Sequence, residues 1–152
     1  MRLIIHIDGG ARGNPGEAGF GVAVSDLDGR RVADLFGYLG VQTNNVAEYA
    51  ALLAALKYAI EADASTVLVR SDSELLVRQI KGVYRVKHPG LIPLHEAAKR
   101  LMARLPEVRV EHVRREQNRD ADRLANQAMD TKSDDPAGVS KGLPLPRRGG
   151  AA

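Results

Sequence analysis

The sequence predicts an α/β fold, a five-stranded mixed sheet in which an antiparallel meander is joined to parallel strands and flanked by helices. Three observations lead there. The first third of the chain alternates β-branched runs with turn-forming residues. A long alanine- and leucine-rich helix follows, and after it strand and helix patterns alternate. A strand that follows a long helix joins the existing sheet through a right-handed crossover, which makes it parallel to its neighbour.

Each element has a local reason. Residues 2–8 (RLIIHID) are rich in isoleucine and end at Gly9-Gly10, a strand running into a turn. The segment ARGNPGEAG reads as turn chemistry throughout, because Asn14-Pro15-Gly16 fits neither a helix nor a central strand. Residues 20–25 resume as a strand, Asp28-Gly29 marks a hairpin turn, and residues 31–39 return as a third strand. From 44 to 61, Val46, Ala50, Leu53 and Ile60 follow one helical face. Residues 66–71 (TVLVRS) form a buried-type strand. Helices over 73–81 and 91–104 flank a loop holding Gly82, Pro89 and Gly90, and Pro106 then separates a strand at 108–113 from a last helix at 118–129. The domain is expected to occupy residues 1–130, with 131–152 a proline- and glycine-rich tail or linker.

Bulk composition narrows the functional classes. The chain has 152 residues, 44% of them hydrophobic and 27% charged, the balance of a water-soluble domain with one core. The longest apolar stretch, 49–60, is short and carries Lys57, so no membrane span is expected. The N-terminus lacks the apolar length of a signal peptide, and with no cysteine there is neither a disulfide framework nor thiolate chemistry. A cytoplasmic location fits both. The net charge of +3 says less than its distribution. From 75 to 95 there is no acidic residue, while Arg78, Lys81, Arg85 and Lys87 surround Tyr84. That stretch would give a positive field suited to a phosphate backbone, although a solvated helix end and loop looks the same in sequence.

Open α/β sheets place their sites beyond the carboxyl ends of parallel strands, near the starts of the following helices. Four acidic residues are expected there. Asp8 closes the first strand, Asp72 closes the fourth, Glu48 lies in the first turn of the long helix, and Asp122 in the first turn of the last. Each has an ordinary structural explanation. Asn45-Val46-Ala47-Glu48 matches a capping box, Asp72 and Ser73 are both good N-caps, Asp120 and Asp122 complement a helix dipole, and Asp8 could be a turn residue. As a group they would repel unless divalent cations neutralised them. Magnesium prefers oxygen ligands, and two ions about 3.5–4 Å apart activate water and stabilise the leaving oxygen in phosphoryl displacement.

The blocks IDGGARGNPGEAGFG, TNNVAEYAALLAAL, RSDSELLVRQIKG and NRDADRLANQAM closely resemble, in order and spacing, the motifs of type 1 ribonuclease H, over residues 1 to about 130. The stretches RVKHPGL and ADRLANQAMD are most similar to the compact prokaryotic branch, whose members sometimes carry a C-terminal phosphatase domain. The resemblance implies a ribonuclease H-like fold and an endonuclease that hydrolyses the RNA strand of RNA–DNA hybrids, leaving 3′-hydroxyl and 5′-phosphate ends. It implies two Mg²⁺ ions, with Mn²⁺ as a substitute, held by Asp8, Glu48, Asp72 and Asp122. Glu48 would lie close to the RNA 2′-hydroxyl. Thr43 matches a DNA phosphate contact, Asn14, Asn44 and Asn45 match minor-groove contacts, and the Gly9 and Gly10 backbone matches the turn that approaches the RNA. A monomer is expected.

Two departures bear on that reading. Many relatives carry a histidine in a flexible loop before the last aspartate, whereas here the loop is Arg114-Arg115-Glu116-Gln117-Asn118. Arg115 or Glu116 could take its place, and His112 is expected to be a structural strand residue. The basic protrusion of larger relatives is also absent between Arg78 and Leu91. Three rival readings remain open: activity on double-stranded RNA as well, a non-catalytic hybrid-binding module, and a DNA-joining or structure-selective nuclease on the same fold.

Overall fold

The structure, a computed structural model, describes residues 1–138 and 142–145. Strands β1 (Arg2–Gly13), β2 (Gly16–Ser25) and β3 (Arg31–Gln42) form the antiparallel meander. Helix α1 (Asn44–Glu61) crosses to β4 (Thr66–Ser71), which lies parallel to β1, and β5 (Glu107–His112) is parallel to β4. Between them come α2 (Glu74–Ile80) and α3 (Ile92–Met102), and α4 (Arg119–Thr131) closes the domain. The sheet order is β3-β2-β1-β4-β5, so the expected mixed sheet is the one observed.

The two helical layers lie on opposite faces, and glycines set how near they come. Gly9 faces α1, where a Cβ would stand 2.3 Å from the Ala47 carbonyl carbon. Gly21 faces α4, where a Cβ would stand 2.2 Å from the Ala121 carbonyl oxygen. Helix α1 supplies much of the core, with Tyr49, Leu52, Leu53 and Leu56 fully buried against Ile5, Ile7, Phe20 and Val22 of the sheet.

Several boundaries differ from expectation. Strands β1 and β2 extend through most of the ARGNPGEAG segment to a hairpin tip at Asn14-Pro15, pairing Gly10 with Gly19 and Arg12 with Glu17. Glycine there permits close packing within a strand as well as a turn. Strand β3 continues to Gln42, and a 3-10 turn, Arg115–Gln117, lies in the loop before α4.

Beyond Asp130 the described residues pack on the body. The exposed side of edge strand β3 is met by Ser133–Asp135: Phe36 N–H donates to Asp135 Oδ1 at 3.1 Å and Tyr38 N–H to Asp134 Oδ1 at 2.8 Å. Asp135 N–H returns a bond to the Phe36 carbonyl, and Asp135 is buried. Leu143 and Leu145 pack against the core. Residues 139–141 and 146–152 of the expected tail lie outside the described set.

Candidate active site

Register brings two of the carboxylates together. Parallel pairing of β1 and β4 ends with Ile7 opposite Ser71, and the next residue of each segment is an aspartate: Asp72 directly after β4, and Asp8 inside β1, which runs on to Gly13 with β2 instead of closing at Asp8 as expected. Glu48 reaches them from α1 because Gly9 lets the helix backbone touch β1. Carboxylate oxygens of Asp8, Glu48 and Asp72 all lie within 4.8 Å of one another. Asp122, in the first turn of α4, lines the same cavity as these three and lies close enough to Asp8 to raise its pKa.

The capping explanations do not hold for the two residues where capping is most plausible from sequence. The N-cap of α1 is Thr43, whose hydroxyl accepts from Val46 N–H at 3.2 Å. Glu48 therefore stands in the second turn and makes no capping box. The N-cap of α2 is Ser73, whose hydroxyl accepts from Leu76 N–H at 3.2 Å, while Ser71 Oγ accepts from Ser73 N–H. Neutral hydroxyls take the cap positions beside both carboxylates.

Burial makes the cluster electrostatically costly. Burial first, then the Asp72 charge and then nearby Asp122 push the Asp8 carboxyl up to about 8, against an ordinary 3.8. Glu48 is likewise held well above the usual carboxylate range, by burial first and then by Asp8 and Asp72. The Gly9 backbone draws both carboxyls back toward ionisation, and Arg115 near Glu48 does the same for that residue. Glu48 Oε2 is nevertheless buried with no protein partner. An all-oxygen donor set with an orphaned carboxylate oxygen at its centre suits a hard divalent cation.

Asn118, absent from the sequence-level candidates, braces this arrangement. It is buried, and its Nδ2 donates to the Ile7 carbonyl at 2.8 Å, tying the start of α4 to the stretch of β1 that carries Asp8. It precedes α4 without capping it through its side chain. Its sequence signal was an asparagine directly before a helix, which reads as an ordinary cap.

The carboxylates line a cavity of about 480 Å³ together with Gly9, Gly10, Asn44, Arg115 and, toward the hairpin tip, Arg12 and Asn126. The expected substrate residues divide into two sets. Gly9, Gly10 and Asn44 are in the cavity wall. Asn14 and Asn44 interlock the hairpin with α1, Asn44 N–H donating to Asn14 Oδ1 and Ala11 N–H to Asn44 Oδ1. Thr43 is the α1 cap, and Asn45 is exposed on the first turn of that helix. Arg78, Lys81, Arg85 and Lys87 are not brought into the cavity. Arg78 and Lys81 line a separate hollow with His112, where Arg78 is paired with Glu74 and stacked on Tyr84, and Arg85 lines a third hollow beside Tyr84. His112 is the exposed last residue of β5. Of the two candidates to replace the absent loop histidine, Arg115 faces the cavity, while Glu116 pairs with Arg114 at 3.4 Å.

Comparison with known proteins places the fold in a family. Residues 6–128 match the family described as "Reverse transcriptase-like". The chain is 44% identical over 131 residues to "Bifunctional protein Rv2228c" of Mycobacterium tuberculosis, covering 86% of this chain but 36% of that protein. It thus spans about a third of the length of that curated relative. Among solved structures it resembles RNase H1 from the archaeon Halobacterium salinarum, with 37% identity, a TM-score of 0.83, and coverage of 86% of this chain and 99% of that one. It also resembles LC11-RNase H1 in complex with an RNA/DNA hybrid, with 44% identity, a TM-score of 0.81, and coverage of 86% and 98%. No helix among the described residues is long and apolar enough to cross a membrane. The family match over most of the chain and the likeness to these enzymes agree: the chain belongs to the ribonuclease H family, in its reverse-transcriptase-like group.

Proposed function

We propose that this protein is an endonuclease that hydrolyses the RNA strand of RNA–DNA hybrids. The observation that carries the reading is the convergence of Asp8, Glu48 and Asp72 within 4.8 Å, with Asp122 in the wall of the same cavity. LC11-RNase H1, similar along nearly its whole chain, was crystallised with an RNA/DNA hybrid. In this reading Asp8, Glu48, Asp72 and Asp122 hold two divalent ions, Mg²⁺ or in its place Mn²⁺. Such ions, when bound, supply Lewis-acid activation of an attacking water and neutralise charge on the leaving oxygen. The carboxylates orient the attack, the water oxygen bonds to phosphorus, and the P–O3′ bond breaks to leave a 3′-hydroxyl and a 5′-phosphate. Arg115, beside the cavity, offsets charge where a loop histidine stands in many relatives. Gly9 and Gly10 approach the RNA through their backbone, and the 2′-hydroxyl near Glu48 distinguishes RNA from DNA. Thr43, Asn14, Asn44 and Asn45 contact the duplex on the α1 side, with Arg78, Lys81, Arg85 and Lys87 further along it. The protein acts as a cytoplasmic monomer with residues 1–130 as its catalytic domain.

The test is digestion of an end-labelled hybrid with and without Mg²⁺, beside Asp8→Asn and Asp72→Asn. Mg²⁺-dependent cutting of the RNA strand alone, lost in both variants, is the expected result. Undiminished cutting by either variant refutes the site. Double-stranded RNA digested in parallel decides whether the substrate range extends to it, and hybrid binding without turnover at saturating Mg²⁺ identifies a binding module instead.

A further inference from the structure

We propose that Arg12 is a substrate-binding residue, its guanidinium taking a backbone phosphate of the hybrid at the hairpin end of the carboxylate cavity. The inference rests on the nuclease reading above and adds a residue to it. Side chains alternate along β1, so Asp8, Gly10 and Arg12 share the face turned toward α4. On α4, Asp122 and Asn126 are one turn apart and so share a face. The cavity runs between the two rows: Asp8 and Asp122 stand at one end, Arg12 and Asn126 at the other, and Gly10 leaves the strand side open between them.

Charge argues for an anion at that end. Apart from the carboxylates, the cavity wall carries two cations, Arg115 beyond β5 and Arg12 at the hairpin tip. At about 3.3 Å per strand residue, Arg12 stands about 13 Å along β1 from Asp8. It lies too far away to act on the reacting phosphate and near enough to meet another on the same duplex. Its guanidinium is already oriented: Nη2 donates to Asn126 Oδ1 at 3.0 Å and pairs with Asp130 Oδ1 at 2.7 Å, in a half-exposed position. Arginine's five donors leave several for a phosphate. Asp130, more exposed than Arg12, holds the side chain in place and competes with the phosphate for it.

The experiment compares wild type, Arg12→Ala, Arg12→Lys and Asp130→Asn in two assays. The first is steady-state hybrid cleavage. The second is fluorescence anisotropy of a labelled hybrid in EDTA across a salt series. For Arg12→Ala the expected result is a KM and Kd raised about tenfold with kcat within about twofold, and a log K against log salt slope shallower by about 0.9. Arg12→Lys should recover part of the affinity, and Asp130→Asn should bind more tightly than wild type. Neutral methylphosphonate linkages placed in the RNA or the DNA strand identify which backbone supplies the phosphate. The linkage that weakens wild type and leaves Arg12→Ala unchanged marks it. An Arg12→Ala variant with wild-type Kd and salt slope overturns the proposal whether or not its Tm falls, since the ion pair would then only fasten the hairpin to α4. Failure of the wild type to cut any hybrid would instead defeat the nuclease reading, and the two failures are distinct.

Discussion

Replacing Asp8 with asparagine should stabilise the metal-free protein at neutral pH while abolishing its proposed activity. Burial, the Asp72 charge and nearby Asp122 raise the Asp8 carboxyl from 3.8 to about 8. Between those values the folded protein binds a proton that the unfolded chain has released, so stability is greatest below the unfolded value and falls as pH rises toward the folded one. At pH 7 the cost is about three units at roughly 1.4 kcal/mol each, or about 4 kcal/mol at most. Asparagine is nearly isosteric and carries no charge, so Asp8→Asn removes that cost. A domain of this size gains roughly 2–4 °C per kcal/mol, so a rise in Tm of several degrees and up to about 15 °C is expected. The assay is thermal unfolding of both proteins in EDTA at pH 7 and at pH 4. The gain should be present at pH 7 and nearly vanish at pH 4, where the wild-type carboxyl is protonated in the folded state. An unchanged or lower Tm for Asp8→Asn at pH 7, or an equal gain at both pH values, would refute the reasoning.

Four further outcomes follow from the same geometry. Protons compete with a divalent ion for Asp8 and Glu48, both held above the ordinary range, so added Mg²⁺ should raise the wild-type Tm more at pH 8 than at pH 5. A Tm shift independent of pH contradicts this. Gly21→Ala sets a methyl 2.2 Å from the Ala121 carbonyl oxygen and should cost about 1–3 kcal/mol or more; denaturant unfolding measures this, and Mg²⁺ affinity should fall with it because α4 carries Asp122. Asn118→Ala removes the side-chain donor to the Ile7 carbonyl, costing about 1–3 kcal/mol, and calorimetry should show weaker Mg²⁺ binding, whereas a stability loss with unchanged Mg²⁺ affinity would limit Asn118 to a structural role. Asp135→Ala strips the Phe36 N–H of its partner on edge strand β3 and should lower Tm while leaving kcat for hybrid cleavage within about twofold.

Asp72 and Asp122 were legible because one follows an apolar strand and the other opens a helix, whereas Asp8 lies inside β1 and Glu48 in the second turn of α1, each only near the boundary that the sequence pattern suggested. The convergence of Asp8 with Asp72 needed only the parallel pairing of β1 with β4, which stops one residue before each aspartate. What was illegible depended on contacts distant in sequence. Gly10, Gly13 and Gly16 read as turn residues, although β1 and β2 run on through that stretch. Their neighbours Gly19 and Gly21 are glycine because α4 lies against β2, a contact more than 100 residues away in the chain. Asp134 and Asp135 followed a change in composition that suggested a linker, and only the unpaired edge of β3 explains why they pack on it. Arg12 was hidden inside a segment taken for a loop, and its position in the cavity appears only once the strand alternation is known.

The capping arrangement explains why an acidic cluster rather than a set of caps is found here. At the start of α1 and of α2, a carboxylate and a hydroxyl lie close together in sequence, and in both cases the hydroxyl makes the cap. An N-capping aspartate or glutamate would be stabilised in its ionised form by helix N–H groups and the dipole, which would lessen its need for a cation. Thr43 and Ser73 cap as neutral groups, Asn14 and Asn44 tie down the hairpin, and Asn118 holds β1 beside Asp8. With those backbone groups met by uncharged side chains, Glu48 keeps a buried carboxylate oxygen that no protein group satisfies. The same division of roles accounts for both the metal-free instability expected from Asp8 and the stabilisation expected from Mg²⁺. A protein that met these lone pairs internally would gain stability and lose its reason to bind a divalent ion.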